Sequence, residues 1–227
     1  MQFPVGLVLL CAFAWMGRSL HAAEVRARLV NSAATGQKSD LARSAVIWLE
    51  PKSDSRHPVV PGRFTLAQKN KTFIPHLLVV PVGSSVAFPN EDPFFHNVFS
   101  LFDGKRFDLG LYEAGSTRSV QFSRVGVSYI FCNIHSKMSA VVIALDTPFY
   151  SIDDVSGAFH ISAVPDGDYE LHVWVEGQPQ SSLDQLTRQV HIAGPESDLG
   201  EIHSEVKRQE HRNKFGRPYD QETAPTY

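Results

Sequence analysis

The heptapeptide CNIHSKM, residues 132–138, follows an apolar, strand-like run over residues 125–131. It places an imidazole, His135, three residues after a thiol, Cys132, and a thioether, Met138, six residues after it. A strand that ends at Cys132, followed by a tight turn, would bring these three side chains back towards one point. The stretch therefore predicts a cluster of sulfur and nitrogen donors at one end of a β-sheet.

The N-terminus is predicted to be a leader. Residues 3–16 carry no charge and small residues follow them, which suits a signal peptide 1–23 cleaved after Ala23. The alternative is an uncleaved anchor, but the apolar run is short for a transmembrane span. We therefore expect a periplasmic or secreted chain with no stable membrane span after cleavage. Because Cys11 lies in the leader, Cys132 has no mate for the disulfide that exported proteins usually form.

The charge of the mature chain argues against a nucleic acid partner. One of the 21 Lys and Arg residues, Arg18, lies in the leader, which leaves 20 against 24 Asp and Glu. A mildly acidic chain lacks the excess positive charge that phosphate backbones attract. We expect it to bind no nucleic acid.

The chain is predicted to be all-β. Short apolar or alternating runs recur along it, separated by turn sequences such as Pro165-Asp166-Gly167. The runs are 25–30, 45–49, 76–82, 85–88, 98–102, 107–111, 119–122, 128–132, 139–145, 158–163, 169–175 and 187–192. This spacing favours β-sandwiches over a parallel α/β sheet.

A second histidine completes the donor set. His96 ends the segment VAFPNEDPFFH, residues 86–96, and precedes another strand-like run. A thiolate, two imidazoles and a weak thioether form the ligand set of a blue-copper site. A zinc site would use the cysteine and histidines but would gain little from Met138. Alternatively, Cys132 is a small buried hydrophobe, His96 a loop residue and Met138 a core filler. Haem attachment would need a second cysteine before the histidine, and there is none. A Cys–His hydrolase would need separated partners and an oxyanion arrangement, and the sequence shows neither.

These motifs carry a resemblance to a known family. The pattern V-x-F-x-N-x-D…H-N-V over residues 86–98, with C-x-x-H-x-x-M over residues 132–138, resembles the cupredoxins, and the second motif is most similar to the amicyanin and halocyanin loop. The resemblance implies a Greek-key sandwich that holds one type 1 copper through His96, Cys132, His135 and Met138. It also implies that Asn97 ties the two ligand loops together. The expected role is electron transfer with a redox partner protein in the periplasm, not enzymatic catalysis.

A second resemblance lies downstream. The pattern G-x-F-x-I…V-P-x-G-x-Y-x-L over residues 157–171 resembles the carboxypeptidase regulatory-like, or transthyretin-like, β-sandwich family. The two domains together resemble bacterial proteins labelled methylamine utilization proteins. Residues 147–204 contain only about four strand candidates, few for an independent sandwich.

The expected organisation is therefore a split sandwich. The N-terminal strands in 24–60 would pair with the sandwich in 147–204, and the copper domain 61–146 would be inserted between them; two consecutive domains are the alternative. The charged, apolar-poor segment 205–227 is expected to be a disordered tail.

Two further residues are candidates near the metal. Ile134 stands where amicyanin-like loops commonly place proline, so its N–H is expected to donate to the Cys132 thiolate and tune the potential. His76 precedes an apolar run and is expected to be either a capped or solvent-edge residue or a neighbour of the site.

Three functions remain open from the sequence. The first is an exported electron carrier that cycles between Cu(I) and Cu(II). The second is a module that stores or delivers copper without relaying electrons. The third is a structural envelope protein whose regulatory-like sandwich binds a partner.

Overall fold

The computed structural model describes residues 22–32, 44–53, 57–101, 104–153 and 156–205. Within them the chain forms one short helix, α1 (Gln180–Asp184), and seventeen strands. The strands are β1 (Ala22–Ser32), β2 (Ala45–Pro51), β3 (Arg63–Thr65), β4 (Ala67–Lys69), β5 (Thr72–Ile74), β6 (Leu77–Pro81), β7 (Ser84–Pro89), β8 (His96–Ser100), β9 (Phe107–Tyr112), β10 (Thr117–Phe122), β11 (Gly126–Phe131), β12 (Ser139–Leu145), β13 (Tyr150–Ile152), β14 (Ala158–Pro165), β15 (Gly167–Val175), β16 (Arg188–Ile192) and β17 (Glu196–Glu205).

The predicted all-β class is confirmed. The strands form four larger sheets, with the orders β14-β1-β17, β13-β2-β15-β16, β10-β7-β3 and β6-β12-β11-β8-β9, and one hairpin, β4-β5. Each of the twelve predicted runs overlaps a strand. In the described part of the chain, no helix has the length and apolar character that a membrane span requires.

The N-terminal strands share sheets with strands from the C-terminal part of the chain. β1 pairs antiparallel with β14 and parallel with β17, and β2 pairs antiparallel with β13 and β15. β1 begins at Ala22, inside the expected leader, and Ala23 is fully buried opposite Val164. The rest of the expected leader, residues 1–21, and residues 206–227 of the expected tail lie outside the described residues.

Strand β12 contributes side chains to both hydrophobic cores. The first buried cluster contains side chains from β1, β2, β14 and β15, and the second contains side chains from β7, β8, β10 and β11. Successive side chains of a strand point to opposite faces. Accordingly, the odd-numbered residues 141–145 of β12 belong to the first cluster, and its even-numbered residues 140–144 belong to the second. An apolar run without alternation is what a strand buried on both faces requires.

The same sheet brings the two predicted ligand segments together. β8 and β11 are antiparallel neighbours that pair at Phe99 and Phe131, and β11 and β12 pair from Phe131 and Ser139 onwards. The heptapeptide 132–138 therefore connects the end of β11 to the start of β12, next to the start of β8. Within this loop, the Cys132 N–H donates to the Met138 carbonyl at 3.2 Å.

Candidate metal centre

Three of the four predicted ligands lie in direct proximity. Cys132 Sγ is 3.7 Å from His96 Nδ1 and 3.7 Å from His135 Nδ1. The donor atoms of all three residues lie within 4.8 Å of one another. Residues 36 positions apart in the chain, Cys132 and His96, meet because β11 and β8 are neighbours.

The fourth predicted ligand, Met138, is packed in the same buried cluster as Cys132. Its side chain is 1% exposed. The Met138 N–H donates to the His135 carbonyl at 3.0 Å, which closes the turn between the two residues. The loop thus places a buried thioether in the same cluster as the buried thiol.

The environment of Cys132 favours its thiolate form. Burial raises the pKa of the thiol, but hydrogen bonds from His96 and from the backbone N–H groups of Asn97, Ile134 and His135 outweigh it and leave the pKa below its ordinary value. Since the thiolate is the form that binds metals, this pocket prepares Cys132 as a ligand. A proline at position 134 would have no N–H, so the hydrogen bond from Ile134 to Cys132 requires a residue other than proline there.

His96 is held from its far side by Asp92, which belongs to the sequence motif but has no predicted role there. Its Nε2 is 2.8 Å from Asp92 Oδ2, which leaves Nδ1 directed at Cys132. Burial lowers the pKa of His96, but the thiolate and the Asp92 carboxylate raise it above its ordinary value. The available sequence signal was an acid four residues before the histidine. A carboxylate on the second ring nitrogen is a common device for orienting a metal-binding histidine.

Asp92 is fixed in turn by the β4–β5 hairpin. The N–H groups of Asn70 and Lys71 donate to its two carboxylate oxygens at 2.6 and 2.9 Å. Both residues have positive φ angles, 54° and 58°, as a two-residue hairpin turn requires. A chain of contacts therefore runs from the hairpin turn through Asp92 to His96.

His135 is the more accessible of the two histidines. His96 is fully buried, whereas His135 is only partly so. Burial, together with the charges of His96 and Lys71, lowers the pKa of His135. The Phe94 ring lies against both imidazoles, with centroids 5.2 Å from His96 and 5.6 Å from His135. Phe95, by contrast, is 57% exposed.

Asn97, which follows His96 in β8, forms a hydrogen bond with the loop that carries Cys132. Its Oδ1 accepts a hydrogen bond from the Asn133 N–H at 3.3 Å, and its Nδ2 donates to Asp108 at 2.8 Å. His76 is not one of the three clustered donor residues. Its Nδ1 lies 3.1 Å from the Ser139 carbonyl and its Nε2 lies 2.7 Å from Glu176, so both ring nitrogens are engaged elsewhere.

The distances in the donor set fit a bound metal ion, and the chemistry of the donors favours copper. Two atoms bonded at about 2.0 and 2.3 Å to one ion, at an angle of roughly 120°, are about 3.7 Å apart. Both sulfur–nitrogen distances have this value. A soft thiolate with two imidazoles and a thioether is the ligand combination of copper electron-transfer sites. Zinc would leave the buried thioether of Met138 without a role.

The chain is similar to a number of solved structures. No protein-family model and no curated protein matches the chain. Solved structures similar to it include a purple cupredoxin from Nitrosopumilus maritimus, with 23% identity over 37% of this chain and 99% of that chain and a TM-score of 0.33. Amicyanin from Paracoccus versutus matches with 17% identity over 43% of this chain and 97% of that chain, at a TM-score of 0.34.

A copper-containing nitrite reductase from Thermus scotoductus is also similar. It matches with 21% identity over 52% of this chain, at a TM-score of 0.36, but this chain spans only 28% of its length. Scores of this size say nothing about activity.

Proposed function

We propose that this protein is an exported type 1 copper protein that carries single electrons and is not an enzyme. The observation that carries the proposal is the buried Cys132 sulfur with a ring nitrogen of His96 and one of His135, each 3.7 Å away. His96, Cys132, His135 and Met138 would hold one copper ion. Copper bound there would supply a one-electron couple between Cu(I) and Cu(II).

The residues around the donors are suited to that role because they restrict movement. Cys132 accepts three backbone N–H groups, and His96 is held by Asp92. Met138 is fixed by the hydrogen bonds of its own loop. A site whose ligands are held by their surroundings changes little between oxidation states, and this favours fast electron transfer.

The proposed partner is a periplasmic redox protein that approaches the side of His135. His135 is the donor residue with the most contact with solvent, and Phe95 and Ile134 are 57% and 46% exposed. An apolar approach surface would make the encounter depend only weakly on salt, because exposed charges contribute little to it.

We also propose that the chain is divided into two domains. Residues 24–60 and 147–204 would form one carboxypeptidase regulatory-like sandwich, and the copper domain 61–146 would be inserted into it. The pairing of β1 and β2 with β13, β14, β15 and β17 supports this arrangement over two consecutive domains.

The test is to load purified full-length protein with one equivalent of copper and to cycle it with a mild reductant and oxidant. An electron carrier should bleach and recover its visible thiolate-to-copper band over repeated cycles while retaining the metal. A storage or delivery protein should stay colourless after oxidation, or release copper to a chelator in one oxidation state. Either of those results would contradict the proposal.

A further inference from the structure

A second cluster of metal-ligating side chains lies on a different sheet from the first. β2 and β15 are antiparallel neighbours whose register pairs Glu50 with Glu170 and Trp48 with His172. Alternate residues of a strand share one face, so Glu50, Glu170 and His172 project from the same face. Their donor atoms all lie within 4.8 Å of one another.

The distances in this cluster are longer than those of charge-assisted hydrogen bonds. His172 Nε2 is 3.4 Å from Glu170 Oε2 and 3.5 Å from Glu50 Oε2. A charge-assisted hydrogen bond is usually ~2.7–2.9 Å long. The neighbouring pair on the same sheet, His191 with Asp168, is at 2.7 Å.

The imidazole nitrogen between the two carboxylates is also shielded from water. His172 Nε2 has essentially no exposed surface and makes no hydrogen bond of normal geometry in the described part of the chain. A similar separation of 3.5 Å occurs between His203 and Glu201, but both of those side chains are more than half exposed. This nitrogen therefore lies between two carboxylate oxygens at more than normal hydrogen-bond length, although the His172 side chain as a whole is 22% exposed.

The two nitrogen–oxygen separations are those expected of ligands that share one cation. Nitrogen and oxygen ligands bonded to one ion at about 2.0–2.2 Å in tetrahedral geometry are about 3.4 Å apart. The two measured separations, 3.4 and 3.5 Å, agree with this value.

Trp48 holds two of the three donors in place. Its indole N–H donates to Glu50 Oε1 at 3.0 Å, which leaves Oε2, the oxygen that faces His172. Its ring stacks on the His172 imidazole, with centroids 5.1 Å and planes 9° apart. The Glu50 and Glu170 side chains are 38% and 43% exposed, so a cation could enter from solvent.

We propose that Glu50, Glu170 and His172 form a second metal site, separate from the Cys132 centre, that binds a divalent cation of the Zn²⁺ type. One imidazole nitrogen and two carboxylate oxygens are ligands that Zn²⁺ accepts, with water completing the coordination. No sulfur donor belongs to the cluster, which distinguishes it from the first site. Because the site joins β2 to β15, the bound cation would link the N-terminal segment to the C-terminal strands.

The probe is Zn²⁺ itself, added to the full-length protein after one equivalent of copper. We expect about one zinc per chain, with an X-ray absorption spectrum at the zinc edge that contains nitrogen and oxygen neighbours at ~2.0–2.2 Å and no sulfur. His172→Gln and Glu170→Gln should each weaken zinc binding by at least about tenfold. His191→Gln is the matched control, since it breaks a histidine–carboxylate pair on the same sheet, and it should leave the affinity unchanged.

Two results would overturn the site. One is zinc with a sulfur neighbour at ~2.3 Å, which would place the ion at Cys132. The other is an affinity that is the same in His172→Gln and in the parent protein. The sulfur result requires that copper already fills the Cys132 centre, whereas the comparison of His172→Gln with the parent protein does not. A sulfur signal together with an affinity loss in His172→Gln would therefore count against the copper assignment and not against this site.

Discussion

Replacing Asp92 by asparagine tests the link between the hairpin and the metal centre. The Asp92 carboxylate is 5% exposed and accepts hydrogen bonds from His96 Nε2 and from the N–H groups of Asn70 and Lys71. Asparagine offers one oxygen and one NH₂ group in the same space. At least one of the three donors must therefore face another donor.

The size of the effect follows from that loss. A hydrogen bond to a charged group contributes ~1.5–3 kcal/mol, and a buried donor without an acceptor costs a similar amount. Asp92→Asn should lower the free energy of unfolding of the metal-free protein by about 1.5–3 kcal/mol. Loosening a contact that orients a ligand typically weakens metal binding ~10–100-fold, and we expect copper affinity to fall within that range.

Denaturant unfolding and competition with a copper chelator measure the two effects separately. Asp153→Asn is the control, because Asp153 Oδ1 also accepts a backbone N–H, from Ala45 at 2.6 Å, but lies outside the metal centre. It should lower stability and leave copper affinity unchanged. If Asp92→Asn bound copper as tightly as the Asp153→Asn variant does, Asp92 would not orient His96.

Three further predictions address the tuning, the pH dependence and the division of the chain. Ile134→Pro removes an N–H donor to the Cys132 thiolate. If the free energy of that hydrogen bond differs by ~1 kcal/mol between the oxidation states, voltammetry should show a reduction potential ~40 mV lower. No change in the potential, or a rise, would refute this tuning. The hydrogen bond to Glu176 raises the pKa of His76. His76→Gln should therefore lower the free energy of unfolding by less than ~1 kcal/mol below pH ~6.5, and the loss should shrink as pH rises through the raised pKa. Equal losses at acidic and alkaline pH, measured by denaturant unfolding, would contradict this. Deleting residues 24–55 should abolish amide-exchange protection in β14 and β15, whereas retained protection would favour consecutive domains.

The strands that could be predicted from the sequence are those with a clear apolar pattern. β12 is the best example, since its bounds were predicted as observed from a run of seven mostly apolar residues. β17 was missed because its ten residues include only two large apolar side chains, Leu199 and Ile202. It is an edge strand beside β1, so its polar side chains can remain in solvent. β3, β4, β5 and β13 have three residues each, too few for a period to be visible.

The candidate site also contains residues that the local sequence predicts and contacts that it does not. Cys132, His135 and Met138 could be associated because they are neighbours in one loop, and His96 through its motif. The contacts of Asp92 with the hairpin turn join residues 21 and 22 positions apart, and no local pattern predicts them. The members of the cluster around His172 are even farther apart in the chain, because the cluster depends on the pairing of β2 with β15.

The visible absorption of the copper-loaded protein, compared between the parent and Cys132→Ser, tests the central claim most directly. A thiolate bound to Cu(II) gives an intense charge-transfer band, and serine is a harder, poorly ionised ligand that cannot replace it. We predict a strong band in the parent with one copper per chain, and its complete loss in a Cys132→Ser variant that is still folded by circular dichroism. A band that survives the substitution, or a copper-loaded parent with no such band, would contradict the assignment of Cys132 as the copper ligand.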